Sequence, residues 1–177
     1  MDAVRDVLRH AKAWDASHRE SVELLRAMVN FAGRLPLLGA GGGGDAPGRA
    51  LAALHVARLE ALMAALREEL GAMEACQGAI GAAVRGAVGR APAARRGAAD
   101  AGAAELARAA EARLREWLVR AGDGYRDELL FMQRAAASIR YDDAEHLAGV
   151  LAVWRAQRCA PAAASREWAA AIVEEGL

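Results

Sequence analysis

Apolar residues recur at intervals of three and four along almost the whole chain. They run through Val4, Val7, Leu8, Ala11, Trp14, Val22, Leu25, Met28 and Val29, then Leu51, Leu54, Leu59, Leu62, Leu66, Leu70, Met73, Ile80 and Val84. A third series takes in Leu106, Ala110, Leu114, Trp117, Leu118, Ala121, Tyr125, Met132 and Ile139. This spacing keeps apolar side chains on one face of a helix of 3.6 residues per turn. Nothing alternates with period two for long enough to make a strand. The pattern predicts an all-α fold with helices over 2–34, 49–88 and 103–140 and short helices over 142–157 and 165–175. A Gly-rich loop over 35–48 and an Ala/Arg/Gly linker over 89–102 separate the long ones.

Glycine and proline set these boundaries. Pro36, the run from Gly39 to Gly44 and Pro47 end the first helix, because proline and glycine disfavour a helix interior. Gly86, Gly89, Pro92, Gly97 and Gly102 make the second break, which carries Arg90, Arg95 and Arg96 on an exposed, solvated linker. Asp142 with Glu145 three residues on reads as a capping box opening the fourth helix. Ser165, after Pro161, is the cap expected for the fifth, which holds Trp168, Ile172 and Val173. Gly122 and Gly124 fall inside the third helix, each weakening it by about 1 kcal/mol relative to Ala, so a bend is expected just before Tyr125. Short connections between long helices favour antiparallel packing. The expectation is one domain over 1–177, an antiparallel helical bundle of three long helices plus two short C-terminal helices.

Composition agrees with helix, since Ala, Leu, Arg and Glu are good helix formers while β-branched and aromatic residues are few. The 177 residues are enough for one domain with a core. The 23 basic and 23 acidic residues cancel, and they cancel within each half as well. A neutral chain lacks the electrostatic footprint from which nucleic-acid binders draw most of their affinity, so direct nucleic-acid binding is disfavoured. The start, Met1-Asp2-Ala3-Val4-Arg5-Asp6, has no apolar stretch behind a positive end, so no secretory signal is expected. The longest apolar run, Leu147 to Trp154, is eight residues, against the roughly 20 that span a bilayer. A soluble intracellular protein without a membrane partner is expected. Cys76 and Cys159 form no Cys-x-x-Cys pair and read as buried or idle thiols.

Motifs that would carry chemistry mostly fail on context. Gly39-x-Gly41-x-x-Gly44 matches the dinucleotide fingerprint in letters, yet it follows a helix and no strand precedes it. No Gly-Lys-Ser/Thr follows, so any ATP hydrolysis belongs to a partner. His10, His18, His55 and His146 do not pair at i and i+4, and Asp143 with His146 lacks the second copy that a di-metal bundle needs. Ser17 beside His18 and Ser165 without a His make no nucleophile and base. No catalytic constellation, metal site or cofactor site is read, and the chain is expected not to be an enzyme.

Trp14, Trp117, Tyr125 and Trp154 lie on or near the apolar stripes, where core packing is their first role. Trp, Tyr and Arg are also the residues that anchor interfaces. Tyr125-Arg126 at the expected glycine bend and Tyr141-Asp142-Asp143 at the corner between helices are therefore the interaction candidates.

From Glu116 the chain reads Glu116-Trp117-Leu118, six residues, Tyr125-Arg126, a helical stretch closing at Ser138-Ile139, then Tyr141, Asp143 and Trp154. Nearer the start come Trp14, Arg19-Glu20, Leu24-Leu25, Asn30, Ala32 and Leu35, followed by a leucine pattern through Leu51, Leu59, Leu66 and Leu70. These blocks, about half the chain, resemble the eukaryotic AAA+ ATPase-interacting ribosome maturation factor family, small helical adaptors of an ATPase of the spermatogenesis-associated type. The stretch from Glu116 to Trp154 matches without a gap and is the specific part. Where the family is rich in Lys and Arg after the Tyr, this chain has Arg126-Asp127-Glu128 and then Phe131-Met132-Gln133; a family Leu-Pro is Val150-Leu151 here. The resemblance implies structural roles for Trp14, Glu116, Trp117, Leu118, Ile139 and Trp154. It also implies a non-enzymatic adaptor docked on a hexameric AAA+ ATPase beside a second small helical subunit. Such an assembly releases shuttling factors from the maturing large ribosomal subunit, touching the pre-ribosome indirectly, and is linked to protein turnover at replication forks. Cytoplasm and nucleus are the expected locations. The alternative is an unrelated Ala-rich helical bundle that binds a small ligand or metal.

Overall fold

Val22 apart, the buried side chains of the first helix alternate by three and four: Val4, Val7, Ala11, Trp14, His18, Ser21, Leu25, Met28 and Ala32. That is the seam of a helix packed lengthwise against others. The computed structural model describes residues 2–40, 46–89 and 101–156. Among them it contains α1 Asp2–Ala32, α2 Leu35–Ala40, α3 Ala46–Val88, α4 Ala101–Ala137 and α5 Ala144–Arg155, and no strand. The fold is all-α. Residues 41–45, the linker at 90–100 with Arg90, Arg95 and Arg96, Cys159 and the helix expected over 165–175 lie outside the described residues. Among the described residues no helix is long and apolar enough to cross a membrane.

Several boundaries differ from the sequence expectation, each for a local reason. The first helix stops at Ala32 because Gly33 N–H closes on Val29 O at 3.0 Å and Arg34 N–H turns to Phe31 O at 3.1 Å. The stretch read as loop from residue 35 begins instead with α2. Pro36 lies in its first turn, where proline's missing N–H costs nothing. The third long helix ends at Ala137, short of 140: Ser138 and Ile139 N–H bond to the carbonyls of Ala135 and Ala136, and the Ser138 hydroxyl also donates to Ala135 O at 2.7 Å. These three-residue closures use up carbonyls left over at a helix end. Gly122 and Gly124 do not break α4, which is helical through both.

Contacts gather the chain into two compact units. In its described part, the first holds α1 through Ala13, α3 from Ala75 and α4 through Asp127; the second holds Trp14–Glu74 and the chain from Glu128. In the first unit Val4, Val7, Ile80, Trp117, Leu118 and Ala121 are buried, and Cys76 is buried with its thiol pushed up by that burial. Leu25, Met28, Leu59, Leu66, Met132 and Leu147 are among the buried residues of the second.

Gly122 marks a close approach in the first unit: a Cβ there would stand 3.4 Å from Val84 Cγ2. That is contact without collision, and Ala is the better helix former by about 0.5–1 kcal/mol. Gly122→Ala should therefore leave stability unchanged or raise it by up to about 1 kcal/mol, while Gly122→Leu overpacks the contact and costs about 1–3 kcal/mol. Urea titration of both variants checks the pair; a destabilising alanine would mean the helices approach more tightly than this.

Candidate interaction site

The corner between α4 and α5 was singled out in the sequence, and its polar groups serve it from within. Asp143, not Asp142, is the N-cap of α5: its carboxylate accepts from His146 N–H at 2.8 Å. The capping box expected from Asp142 and Glu145 is not the arrangement found: the cap lies one residue on, and the residue three beyond it, His146, turns its ring to Ser138. Asp142 is held instead by Arg140, whose Nη2 and Nε donate to Oδ2 at 2.9 Å and Oδ1 at 3.2 Å. This hydrogen bond lowers the Asp142 carboxyl below the usual carboxylate range and raises the Arg140 guanidinium. His146 Nε2 lies 3.0 Å from Ser138 O and 3.3 Å from its Oγ. A carbonyl can only accept, so that ring nitrogen carries the proton. Asp142 and Asp143 face water, whereas Tyr141 is half-buried. Burial raises the Tyr141 hydroxyl, with Arg67 on α3 lowering it and Glu60 raising it. Asp143→Ala should cost about 1 kcal/mol as the loss of an N-cap, read as a shifted denaturation midpoint, and Asp143→Asn should recover most of it.

Tyr125 corrects a sequence expectation. The glycines before it predict an outward-facing bend, yet α4 continues without interruption and Tyr125 is 0 % exposed. Leu118, Ala121, Tyr125, Leu129 and Met132 are all buried at steps of three and four, so the ring belongs to the inner line of α4. Arg126 is the exposed neighbour, with Nη2 3.3 Å from Asp123 and Nε 3.5 Å from Asp127. Arg126 falls in the first unit and the Tyr141 corner in the second, so the two candidate patches do not belong to one unit.

The aromatics expected to be structural are buried: Trp14, Trp117 and Trp154, together with Leu118. Ile139 is half-buried. Glu116 departs from the expectation, because its side chain lies in water and pairs with Arg120 one turn on. Such exposed pairs contribute little to stability.

The centre of polar order in the second unit lies away from both candidate patches, at Trp154. Trp154 is 0 % exposed, and its indole Nε1 donates to Ser21 Oγ at 2.9 Å. Ser21 in turn donates to His18 O at 2.7 Å, and His18 Nε2 lies 3.0 Å from Trp154 O. The acceptor carbonyl again places the proton on Nε2. The result is a closed ring of three hydrogen bonds latching α5 onto α1, with His18 and Ser21 both buried. A signal was available: His18 and Ser21 interrupt an otherwise apolar seam, and buried polar groups need partners. Beside the latch an open depression of about 550 Å³ is lined by Ala16, His18, Arg19, Glu20, Val22, Glu23 and Arg155. Its charges are of both signs. Among the described residues no three His, Cys, Asp or Glu side chains gather as a metal ion would require.

No protein-family model, curated protein or solved structure matches the chain.

Proposed function

We propose that the chain is a non-enzymatic adaptor subunit of a hexameric AAA+ ATPase, working beside a second small helical subunit in the cytoplasmic maturation of the large ribosomal subunit. Protein turnover at the replisome is a second setting for the same adaptor, in the nucleus. The proposal includes the antiparallel bundle of three long and two short C-terminal helices. The observation that supports it is where the family-like pattern falls. Trp14, Trp117, Leu118, Tyr125 and Trp154, the large apolar members of that pattern, are all buried, whereas its polar members Glu116 and Asp143 face water. Spacing between buried anchors is what a shared packing scheme would preserve. Between these anchors the helices offer long solvent-facing surface, and an adaptor works through shape-complementary surface while the ATPase supplies force.

Affinity purification of the tagged chain from its own cells, with quantitative mass spectrometry, tests this. Near-stoichiometric recovery of an AAA+ ATPase with large-subunit assembly factors is expected. A folded chain that recovers neither, and whose melting temperature rises with an added metal or small molecule, would replace the adaptor with the ligand-binding bundle. Arg126→Ala should change stability by less than about 0.5 kcal/mol, as exposed substitutions do, and lower recovery of the ATPase in the same experiment. Unchanged recovery would remove Arg126 from the docking surface.

A further inference from the structure

The first three turns of α3 carry leucines on the water side. From Ala46 to Arg58 every residue is exposed or half-buried, and full burial begins only at Leu59. Gly48, Ala52 and His55 form the half-buried inner line, with the His55 ring edge-on to Phe31 at 5.4 Å. On the outer line stand Pro47, Leu51, Leu54 and Arg58, at steps of four, three and four. Leu51 is 44 % and Leu54 67 % exposed. Single exposed leucines are ordinary, but two at helical spacing on one line present the stripe with which a second helix packs.

Charge distinguishes the possible occupants. Between Glu23 and Glu60 the sequence has one acidic residue, Asp45, against Arg26, Arg34, Arg49 and Arg58; of these, Arg58 stands on the outer line, while Arg49 lies half a turn of α3 away from it. Arg26 is paired with Glu23, whereas Arg58, directly on the outer line, forms no ion pair with a described residue. A second copy in parallel register would set Arg58 against Arg58, and an antiparallel one would set it against the uncharged Pro47 end of the line, so neither answers the charge. An anionic membrane is held by clusters of about four to eight basic residues, more than this stretch of α3 offers. An acidic helix with its own apolar line complements both features. We propose that the outer line of α3, Leu51 and Leu54 with Arg58, docks an acidic amphipathic helix of another protein, whose apolar side chains cover the leucines and whose carboxylates meet the arginine.

The chain's own segment 165–175 has related chemistry in sequence, with Trp168 and Ile172 beside Glu167, Glu174 and Glu175, and is the rival to exclude. A photo-crosslinking amino acid at position 54 of the full chain, in its own cells, tests the proposal, with position 106, 75 % exposed, as control. Crosslinks from position 54 should map to a net-acidic segment of another protein with apolar residues at steps of three and four. Their yield should fall with added salt and with Arg58→Glu. The double variant Leu51→Asp/Leu54→Asp should lower it about tenfold or more, the factor that one lost buried leucine already implies. Circular-dichroism melting of both variants should match the parent, since these side chains lie outside the core. Crosslinks to segment 165–175, to a second copy or to a neutral or basic segment would overturn the proposal. So would a yield no higher than at position 106, or binding to anionic vesicles that the aspartate variant abolishes. The surface stands independently of the ATPase reading: an acidic helix from an unrelated partner would uphold the one and end the other.

Discussion

Trp154→Ala is expected to lower the unfolding free energy by about 3–5 kcal/mol, the range for deleting a buried large aromatic. Two losses combine. The fully buried indole leaves a cavity at the end of α5, and Ser21 Oγ loses the donor that reaches it at 2.9 Å. Trp154→Phe separates them, since it keeps most of the packing and removes the hydrogen bond. It should cost about 1 kcal/mol, the net worth of a typical hydrogen bond, since Ser21 keeps its bond to His18 O. Ser21→Ala removes the same bond from the other side, and adding it to Trp154→Phe should cost less than the sum of the two. Urea denaturation of the four variants measures this. A loss below about 1 kcal/mol for Trp154→Ala would mean that α5 is held elsewhere and the latch is incidental.

Tyr125→Ala is the second large effect, again about 3–5 kcal/mol by analogy with buried Phe and Trp deletions. Its place in the sequence, next to Gly122 and Gly124, suggested the reverse: a surface tyrosine whose loss would spare stability and weaken partner binding. Burial at 0 % exposure decides for the core. The comparison with Arg126→Ala is the discriminating one, because the residues are adjacent while their side chains meet opposite environments. Melting of purified variants should show a large loss at 125 and almost none at 126. Equal melting temperatures would return Tyr125 to the surface. Any weaker partner recovery by Tyr125→Ala should be matched by the smaller folded fraction, and recovery normalised to folded protein separates the two causes.

The sequence by itself determined the helical character of the chain and the approximate extent of its long helices. Both depend on local properties: the three-and-four recurrence of apolar residues, the propensity of Ala and Leu, and the breaks at Gly and Pro. The burial of Trp14, Trp117 and Trp154 was legible for the same reason, since each lies on such a stripe. Sequence could not settle which way a residue at a break faces, because that depends on what lies opposite. Gly122 reads as a helix breaker until Val84 is found 3.4 Å from where its Cβ would be. The cap of α5 is Asp143, while Arg140 engages Asp142, a local contest that letters do not rank. The sequence alone does not show that His18 and Ser21 can be buried; Trp154, more than a hundred positions on, supplies their partners. Leu51 and Leu54 read as core by period, yet nothing in the described chain covers that side of α3. Periodicity specifies that a face is apolar, and only the tertiary structure decides which surface, if any, meets it.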